Sequence, residues 1–489
     1  MANVRVRFAP SPTGFLHIGG LRTALFTYLI GKSLGGKVIL RIEDTDKKRT
    51  VEGAVEGLIK ILDWAGIKFD EGPHVGGNFG PYTQSERQEI YDKYRDILLE
   101  KDGGYHCFCT AERLETMRAD QQAKKLPPRY DRCCRDLSKE EVTKRIAAGE
   151  KYVIRQKMPL EGEVLVFDEL RGEIKFQAKE LEDQVLIKTD GVPTYQFANV
   201  VDDHTMEISH VTRAEEWIPS FPKNILLYRT FGWEPPKFIH YSVILNKEGG
   251  GKLSKRQGDV FVEQYKDKGY LKDALINFCV LQGWHPKGEQ EEFSLSELEK
   301  VFTIDGISVS PAIFDIDKLD YFNGVYIRKM NLDELTEMCK PYLVENLKLT
   351  NQTEKKSAEF LKNVVRISQE RLKKLSEIGE LTDYLFMDAI EYSAELLVWK
   401  KMTAEEAKNN LNLIIELIEK VPVENWTNFS INEAVVNYLQ AKEEKVGPYL
   451  WPMRVALTGK QFSPSPFEVA EVLGKQECLN RIKLAIEKL

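Results

Sequence analysis

The start of the chain combines two periods of hydrophobic positions. Val4–Phe8 alternates apolar and polar side chains as a strand does, and Leu21–Leu29 then repeats apolar side chains on one face of a helix. Gly35 and Gly36 end the helical pattern, and a second strand-like run begins at Lys37. A strand, a helix and a strand in succession predict a βαβ unit, and therefore a parallel sheet with a right-handed crossover.

The residue composition and the hydrophobic pattern change in later segments, which indicates domain boundaries. Further helices are expected around residues 51–65 and 85–101. Between about Gly103 and Glu180, cysteines, basic residues and short β-like pieces predict an insertion. The α/β pattern then returns at Asp183 and continues to about Val243.

The remainder of the chain, past about Gly324, has an almost wholly helical period and many charges. We expect one boundary near residue 325 and a weaker one near residue 380. Composition alone describes this part as a helical bundle with solvated charged faces, and assigns no binding role to it.

Composition narrows the class of protein. The chain has 489 residues, of which 42% are hydrophobic and 30% charged, and this is typical of a soluble globular protein. The 69 lysines and arginines against 76 acidic residues give a net charge of −7. That balance argues against non-specific coating of nucleic acid, but it is compatible with a local basic patch.

Cysteine usage and the absence of long apolar runs predict a cytoplasmic location. No apolar run has the length of a membrane span, and the start of the chain lacks a signal-peptide pattern. Four of the seven cysteines lie close together, as Cys107, Cys109, Cys133 and Cys134. Clustered thiols without a secretory signal favour a metal site over a disulfide framework.

An irregular turn carries the first candidate chemistry. The segment RFAPSPTGFLHIGGLRTAL joins the first strand to the first helix. Such a turn presents backbone N–H groups at the positive end of the helix dipole, where an anion can bind, and His17 could donate to a phosphate oxygen. The alternative is a simple proline- and glycine-rich turn with a surface histidine. Neither a Walker loop nor a G-x-G-x-x-G fingerprint occurs, which disfavours a nicotinamide oxidoreductase.

A second glycine-rich segment, NKEGGGKLSKRQGD, spans Asn246 to Asp259. A loop with two lysines and an arginine can close over a triphosphate and neutralise the charge that develops during nucleotidyl transfer. The alternative is an exposed basic turn. Each segment alone is ambiguous, whereas the two together are not.

These segments resemble the HIGH and KMSKS signatures of class I aminoacyl-tRNA synthetases. The motifs RFAPSPTG, RIEDTD, DGVPTYQFANVVDDH, RAEEW and KLSKR together are similar to those of the bacterial glutamyl-tRNA synthetases, and the resemblance runs over essentially the whole chain. One departure is Gly20, which stands where the HIGH element has its second histidine.

The resemblance implies a Rossmann-type parallel-sheet catalytic domain with an α+β insertion, followed by an all-α anticodon-binding module. The expected segments are residues 1–102 and 183–243 for the catalytic domain, 103–182 for the acceptor-stem insertion, 244–324 for a connecting region with the KLSKR loop, and 325–380 and 381–489 for two anticodon-binding subdomains.

The implied reaction joins the α-carboxylate of L-glutamate to the α-phosphate of ATP, expels pyrophosphate, and passes the glutamyl group to the 3′ end of tRNA(Glu). Because the attacking carboxylate is already a nucleophile, catalysis would come from positioning and charge stabilisation, with Mg²⁺ bridging the phosphates. The implied catalytic residues are His17, Lys252 and Lys255. The implied ATP-binding residues are Pro10, His17, Gly19, Gly20, Glu216, Trp217, Lys252, Leu253, Ser254, Lys255 and Arg256.

By the same resemblance, Arg7 and Tyr195 would hold the side-chain carboxylate of glutamate, because a guanidinium fork matches a carboxylate and glutamine would leave charge unpaired. Glu43 would take the ammonium group with Ser11, and Arg213 would face the α-carboxylate. The implied glutamate-binding residues are Arg7, Ala9, Ser11, Glu43, Tyr195, Asn199 and Arg213. The alternative is that Arg7 is an ordinary strand arginine and Glu43 an ordinary surface acid, without a binding role.

The cysteine cluster matches a zinc site that some glutamyl enzymes carry in this insertion. The implied ligands are Cys107, Cys109, Tyr130 and Cys134. Cys133 is an extra thiol, and Cys133 or Asp136 could replace the tyrosine as fourth ligand. The alternative is a group of reduced thiols without metal.

Binding of tRNA would overcome the net negative charge through local basic segments. KKLPPRYDRCCR in the insertion suits the acceptor-stem backbone. The implied tRNA-binding residues are Asp44 and Arg371, the latter placed to test the last anticodon base. A solvated helical face is the alternative for the other basic residues of the tail, Lys362, Arg366, Lys373 and Lys374.

Three rival functions remain to be weighed. The enzyme could also charge tRNA(Gln) with glutamate, and the sequence does not decide between the two. A tRNA-modifying paralogue would lack the helical tail, and a non-catalytic RNA-binding descendant would have lost His17, Glu43 or the lysines of KLSKR. The family leads us to expect a monomer.

Overall fold

The computed structural model describes residues 4–46, 51–247, 250–253, 260–347 and 357–489. The chain divides into two compact units, one of Met1–Lys266 with Lys272–Ile316 and one of Asp267–Leu271 with Asp317–Leu489. The first unit is α/β and the second is helical. The finer limits expected from the sequence stay predictions.

The elements of the chain as far as the end of the α/β unit are β1 (Arg5–Phe8), α1 (Ile18–Ser33), β2 (Lys37–Leu40), α2 (Ala54–Trp64), α3 (Gln88–Glu100), β3 (Gly104–Cys107), α4 (Ala111–Ala123), α5 (Lys139–Ala147), β4 (Val153–Gln156), β5 (Glu163–Asp168), β6 (Gly172–Gln177), β7 (Val185–Ile187), α6 (Tyr195–Thr205), β8 (His210–Ala214), α7 (Phe221–Phe231), β9 (Lys237–Tyr241), β10 (Ile244–Asn246), α8 (Val262–Asp267), α9 (Lys272–Leu281), α10 (Leu295–Val301) and β11 (Ala312–Phe314).

The predicted βαβ unit is confirmed. Strands β1 and β2 pair in parallel, from Arg5 opposite Lys37 to Phe8 opposite Leu40. Helix α1 connects them and buries the predicted apolar face, including Leu21 and Leu25. The turn between β1 and α1 therefore lies at the carboxyl end of a parallel strand, which is where α/β sheets bind ligands.

The large sheet has the strand order β2-β1-β8-β9-β5-β6. The pairs from β2 to β5 are parallel, whereas β6 pairs with β5 in antiparallel fashion. The predicted parallel sheet is therefore confirmed for β2, β1, β8, β9 and β5, and β6 adds an antiparallel strand at one edge. A tight hairpin explains this, because two strands joined by a few residues can only pair antiparallel.

The β5–β6 hairpin comes from the segment that the sequence placed in the insertion. Alternate residues of β5 are buried, including Val164, Val166 and Asp168, and Asp168 lies opposite Phe238 of β9. This pairing of β5 with β9 joins residues that are far apart in the chain. The local sequence pattern therefore could not predict it. The rest of the insertion holds α4, α5 and the strands β3 and β4, which form a separate antiparallel sheet of order β3-β4-β7 with a strand from just after the predicted end of the insertion.

The second unit confirms the all-α prediction. Its helices are α11 (Ile316–Lys329), α12 (Leu332–Leu347), α13 (Ala358–Ser368), α14 (Ile378–Thr382), α15 (Ala404–Ile418), α16 (Asn428–Ala441), α17 (Gly447–Thr458), α18 (Pro466–Leu473) and α19 (Lys475–Lys488). Buried side chains such as Leu411, Val455 and Ile482 form its core. Across the described residues of both units, none of the helices combines the length and apolar character that crossing a membrane requires.

Candidate active site

The β1–α1 turn positions His17 at the start of a helix. His17 is the N-cap of α1, and its Nδ1 accepts the backbone N–H of Gly19 at 3.0 Å. Because Nδ1 is an acceptor, the neutral ring carries its proton on Nε2. A histidine in this tautomer can donate to an anion bound at the helix N-terminus.

Gly20 has a steric explanation. A Cβ atom at Gly20 would lie 2.8 Å from Cδ1 of Leu16, and Leu16 is itself buried. A side chain at this position therefore requires Leu16 to move. The single histidine of the HIGG segment is consistent with this packing.

The residues on either side of the second glycine-rich segment are held in place by backbone hydrogen bonds, and those that follow it contact the start of α1. Leu253 donates its N–H to the carbonyl of Ile244 at 3.0 Å, which holds the segment against β10. Lys252 forms an ion pair with Glu216. After the loop, the N–H of Ile18 donates to the carbonyl of Val260 at 2.8 Å. The predicted ATP-binding residues Ser254, Lys255 and Arg256 lie outside the described residues.

Two adjoining cavities lie at this edge of the large sheet. The first has a volume of about 990 Å³ and the second of about 540 Å³, and both are lined by Thr23, Ala214 and Glu216. Predicted residues that line the first cavity are Arg7, Ala9, Ser11, Glu43, Tyr195, Arg213, Glu216 and Trp217. Predicted residues that line the second are His17, Gly19, Gly20, Glu216, Lys252 and Leu253.

The structure thus collects most of the predicted glutamate-binding residues at one cavity and most of the described ATP-binding residues at its neighbour, whereas Trp217 lines only the first of the two. Pro10 lines a smaller cavity of about 250 Å³ beside the same turn. Asn199 is buried on α6 rather than at the surface of the first cavity.

A buried ionic network fixes the floor of the first cavity. Arg7 donates to both oxygens of Asp203, from Nε at 2.9 Å and from Nη2 at 3.4 Å. Arg41 donates to Asp203 at 2.7 Å and to Glu43 at 2.9 Å. Burial raises the pKa of Glu43, and the charge of Arg41 opposes that shift.

Sequence reasoning missed Asp203 and Arg41, although one signal was available. Tyr195, Asn199 and Asp203 follow one another at intervals of four residues on α6. That spacing places all three on one face of the helix. Asp203 thus shares a helix face with two predicted glutamate-binding residues. Its carboxylate is therefore a candidate partner for Arg7, the arginine predicted to bind glutamate with them.

Tyr195 and Trp217 both line the first cavity and pack together, with ring centroids 4.7 Å apart. Burial raises the pKa of Tyr195 to about 12, and the nearby charge of Glu43 adds to the shift. The hydroxyl of Tyr195 therefore stays protonated at neutral pH and can donate a hydrogen bond.

Arg213 presents a donor without a partner. Its Nε donates to Nε2 of His240 at 2.8 Å, whereas its Nη2 is buried and has no hydrogen-bond partner among the described residues. Burial lowers the pKa of Arg213, and Tyr195 opposes the shift. Buried polar groups are almost always hydrogen-bonded, and an unpaired nitrogen on a cavity-lining guanidinium can accept an anionic ligand as its partner.

Comparison with known proteins identifies the family. The family model for tRNA synthetases class I (E and Q), catalytic domain, matches residues 3–321, and the model for an anticodon binding domain matches residues 334–486. The chain belongs to the class I tRNA synthetases (E and Q). The family prediction made from the HIGG and KLSKR segments is therefore confirmed.

Similar proteins cover this synthetase almost completely. A protein named Glutamate--tRNA ligase from Clostridium botulinum (strain Hall) is 48% identical over 99% of the chain and 98% of its own length. Its counterpart in Clostridium tetani is 45% identical with the same coverage. A crystal structure of a glutamate tRNA ligase from Elizabethkingia meningosepticum in complex with its amino acid is 36% identical, with a TM-score of 0.89 and 99% of each chain covered.

The insertion of the synthetase contains a compact thiol cluster. The Sγ atoms of Cys107, Cys109 and Cys134 all lie within 4.8 Å of one another. The hydroxyl of Tyr130 is 3.2 Å from Sγ of Cys107 and 3.5 Å from Sγ of Cys109. Cys133 is exposed, and its Sγ lies 3.3 Å from that of Cys109. Three convergent thiols can hold a metal ion, and they are donors that zinc prefers.

Neither of the predicted tRNA-binding residues, Asp44 and Arg371, is among the residues that line these cavities. Asp44 accepts hydrogen bonds from the backbone N–H of Ser85 at 2.8 Å and from its hydroxyl at 2.6 Å. Arg371 is exposed just after α13. Three of the other basic residues named for the helical tail are engaged in ion pairs: Lys362 with Asp333 and Arg366 with Glu471, both at 2.5 Å, and Lys374 with Glu377 at 3.5 Å.

Proposed function

We propose that the protein attaches L-glutamate to the 3′ end of tRNA(Glu), using ATP and forming a glutamyl-adenylate. The observation that carries the proposal is the pair of adjoining cavities. Buried guanidinium groups of Arg7 and Arg213 serve the first, and the N-terminus of α1 with His17 and Lys252 serves the second. Membership of the family and similarity to proteins named Glutamate--tRNA ligase support the same reaction.

In this proposal the first cavity selects glutamate by its two carboxylates. Arg7 and the protonated hydroxyl of Tyr195 bind the side-chain carboxylate, and the unpaired Nη2 of Arg213 binds the α-carboxylate. Ser11 and the carboxylate of Glu43 take the ammonium group. Glutamine offers an amide in place of the second carboxylate, so that its NH2 group would face the N–H and O–H donors of Arg7 and Tyr195 where a carboxylate oxygen would accept from them.

The second cavity aligns ATP with the α-carboxylate. His17 donates from Nε2 to a phosphate oxygen, and the N-terminus of α1 adds the positive end of its dipole. Lys252 exchanges its ion pair with Glu216 for a phosphate, and Lys255 acts with it on the leaving pyrophosphate. These groups stabilise the negative charge that builds up on the α-phosphate, while Mg²⁺ would neutralise the phosphates.

We also propose that the thiol cluster binds one Zn²⁺ through Cys107, Cys109 and Cys134, with Tyr130 as fourth ligand. The convergence of three sulfur atoms with the tyrosine hydroxyl supports this donor set. Zinc would hold β3 to the segment around Tyr130, which is a structural role.

Aminoacylation of purified tRNA tests the main proposal. The protein should charge tRNA(Glu) with glutamate in the presence of ATP, and should fail with glutamine. Assay of tRNA(Gln) beside it decides whether the enzyme is discriminating, and the exposed Arg371 leads us to expect that it is. Failure to charge any tRNA with glutamate would contradict the proposal. The cytoplasmic location and the monomeric state stay predictions.

A further inference from the structure

A chain of three buried side chains runs behind the first cavity. Asp168 ends β5, His240 lies on β9, and Arg213 lies on the neighbouring strand β8. Asp168 and His240 are fully buried, and Arg213 is 6% exposed. Oδ2 of Asp168 is 2.7 Å from Nδ1 of His240, and Nε2 of His240 accepts from Nε of Arg213 at 2.8 Å.

The surroundings of Asp168 keep it in place as an acceptor. Oδ2 also accepts the backbone N–H of His240 at 3.0 Å, and Oδ1 accepts the backbone N–H groups of Leu170 and Arg171 at 3.0 and 3.1 Å. Four donors therefore converge on one carboxylate. Both oxygens of Asp168 are therefore engaged as hydrogen-bond acceptors.

This acceptor determines the tautomer of His240. Nδ1 must carry a proton in order to donate to Asp168, so that the lone pair of the neutral ring lies on Nε2 and faces Arg213. Burial lowers the pKa of His240 to about 4, and this keeps the ring neutral near pH 7. A protonated ring, or the other tautomer, would oppose one N–H to another at Arg213.

We propose that His240 and Asp168 are positioning residues that fix the guanidinium of Arg213 for the α-carboxylate of glutamate. The inference rests on the proposed function. Arginine has several rotatable bonds, and hydrogen bonding through Nε fixes the plane of its fork while leaving Nη2 for the ligand. The β5–β6 hairpin thereby supports the amino-acid site from outside it.

The test compares two amides at position 240 in aminoacylation kinetics. His240→Gln can place its amide oxygen near the position of Nε2 and keep the acceptor for Arg213, whereas His240→Asn is too short to reach it. We expect His240→Asn to raise KM for glutamate by about 10- to 100-fold, as the loss of a charge-assisted hydrogen bond predicts. His240→Gln should stay within about fivefold of the wild type. KM for ATP should change by less than about twofold in both.

His210→Asn is the matched control. His210 is also a buried histidine in the same sheet, three residues before Arg213, but its Nδ1 pairs with the hydroxyl of Ser209 at 2.8 Å. This control should leave KM for glutamate unchanged. Equal losses in the Asn and Gln variants, or a fall in kcat with KM for glutamate unchanged, would overturn the inference.

A spectroscopic measurement covers the case in which His240→Asn fails to fold. The ¹⁵N shifts of histidine-labelled wild-type protein should show His240 as the neutral Nδ1–H tautomer, identified by the signal that His240→Gln removes. An Nε2–H ring would overturn the inference. If the wild type charges tRNA with glutamate but His240→Asn keeps its KM, only the positioning role fails. If the wild type does not use glutamate, the proposed function fails first.

Discussion

Arg7 has a structural role and is also predicted to bind glutamate. Its guanidinium is buried and bound to Asp203, and it also lines the cavity that collects the predicted glutamate-binding residues. Asp203 is shared with Arg41, which in turn holds Glu43. Each charge is thus kept in position by a partner of opposite sign, as buried charges require.

Arg7→Gln should raise KM for glutamate by at least about 30-fold, because a buried charged contact is worth about 2–5 kcal/mol. KM for ATP should change much less. Arg5→Gln provides the control on the same strand, since Arg5 binds Glu71 at 2.7 Å rather than the cavity network. That variant should lower stability without changing KM for glutamate. Similar effects of both variants on KM would contradict the role of Arg7.

Glu71 links stability to pH. Its hydrogen bonds with Arg5 lower its pKa from 4.5 to about 2, and the residue is 3% exposed. A carboxylate whose pKa is depressed in the folded state contributes stability above its ordinary pKa, and the contribution is lost as the pH falls toward 2.

The melting temperatures of the wild type and Glu71→Gln should therefore differ at pH 7 and converge as the pH falls below about 4. At pH 7 the loss should be on the order of 3–5 kcal/mol, because Arg5 is left buried without its partner. Thermal unfolding at a series of pH values measures the difference. A gap that widens in acid would contradict the assignment.

Gly31 and Gly57 both lie inside helices, and only the packing around them shows that their roles differ. Gly31 lies in α1, where a Cβ atom would meet Cγ2 of Val38 at 2.7 Å and Cγ2 of Val6 at 2.8 Å. Gly57 lies in α2, where a Cβ atom would meet nothing within 4 Å. The first glycine lets α1 approach the β1–β2 pair closely, and the second only loosens its helix.

Gly31→Ala should lower stability by about 1–3 kcal/mol, because an added methyl group overpacks the contact between helix and sheet. Gly57→Ala should raise stability by about 0.5–1 kcal/mol, because alanine favours the helix. Thermal unfolding of the two variants measures both effects. Changes of the same sign would show that close packing at Gly31 is not decisive.

At the scale of the whole molecule, the net charge of −7 opposes the binding of tRNA. An acidic protein can bind a polyanion only through local basic surfaces, and counterion release then makes the binding strongly dependent on salt. Exposed Arg371 and Lys373 follow α13 in the helical unit and are candidates for such a surface.

The logarithm of the tRNA association constant should fall linearly with the logarithm of salt concentration. Replacement of Arg371 by Gln should reduce the slope by about 0.7–0.9 if the arginine contacts a phosphate, and should instead change the preference among anticodons if it contacts a base. Filter binding in a series of salt concentrations measures the slope. A flat response in the wild type would contradict the patch model.

Metal content is a second property of the folded chain. Protein purified without chelators should contain about one zinc per chain, and Cys134→Ser should lose it. Cys339→Ser is the control, because Cys339 lies on α12, outside the insertion, whereas Cys133 is itself a candidate fourth ligand whose Sγ is 3.3 Å from that of Cys109. A zinc content near zero in the wild type would refute the site.

The sequence by itself determined the family, the order of α/β and helical regions, the first βαβ unit, and the residue types at both cavities. Local patterns carry this information, because hydrophobic period specifies a strand or a helix and glycine-rich turns precede phosphate-binding helices. The tertiary structure alone decided that β5 and β6 join the large sheet. It also brought Asp203 to Arg7, and Asp168 with His240 to Arg213. These partners are distant in the chain, and only the packing of buried charges against one another selects them.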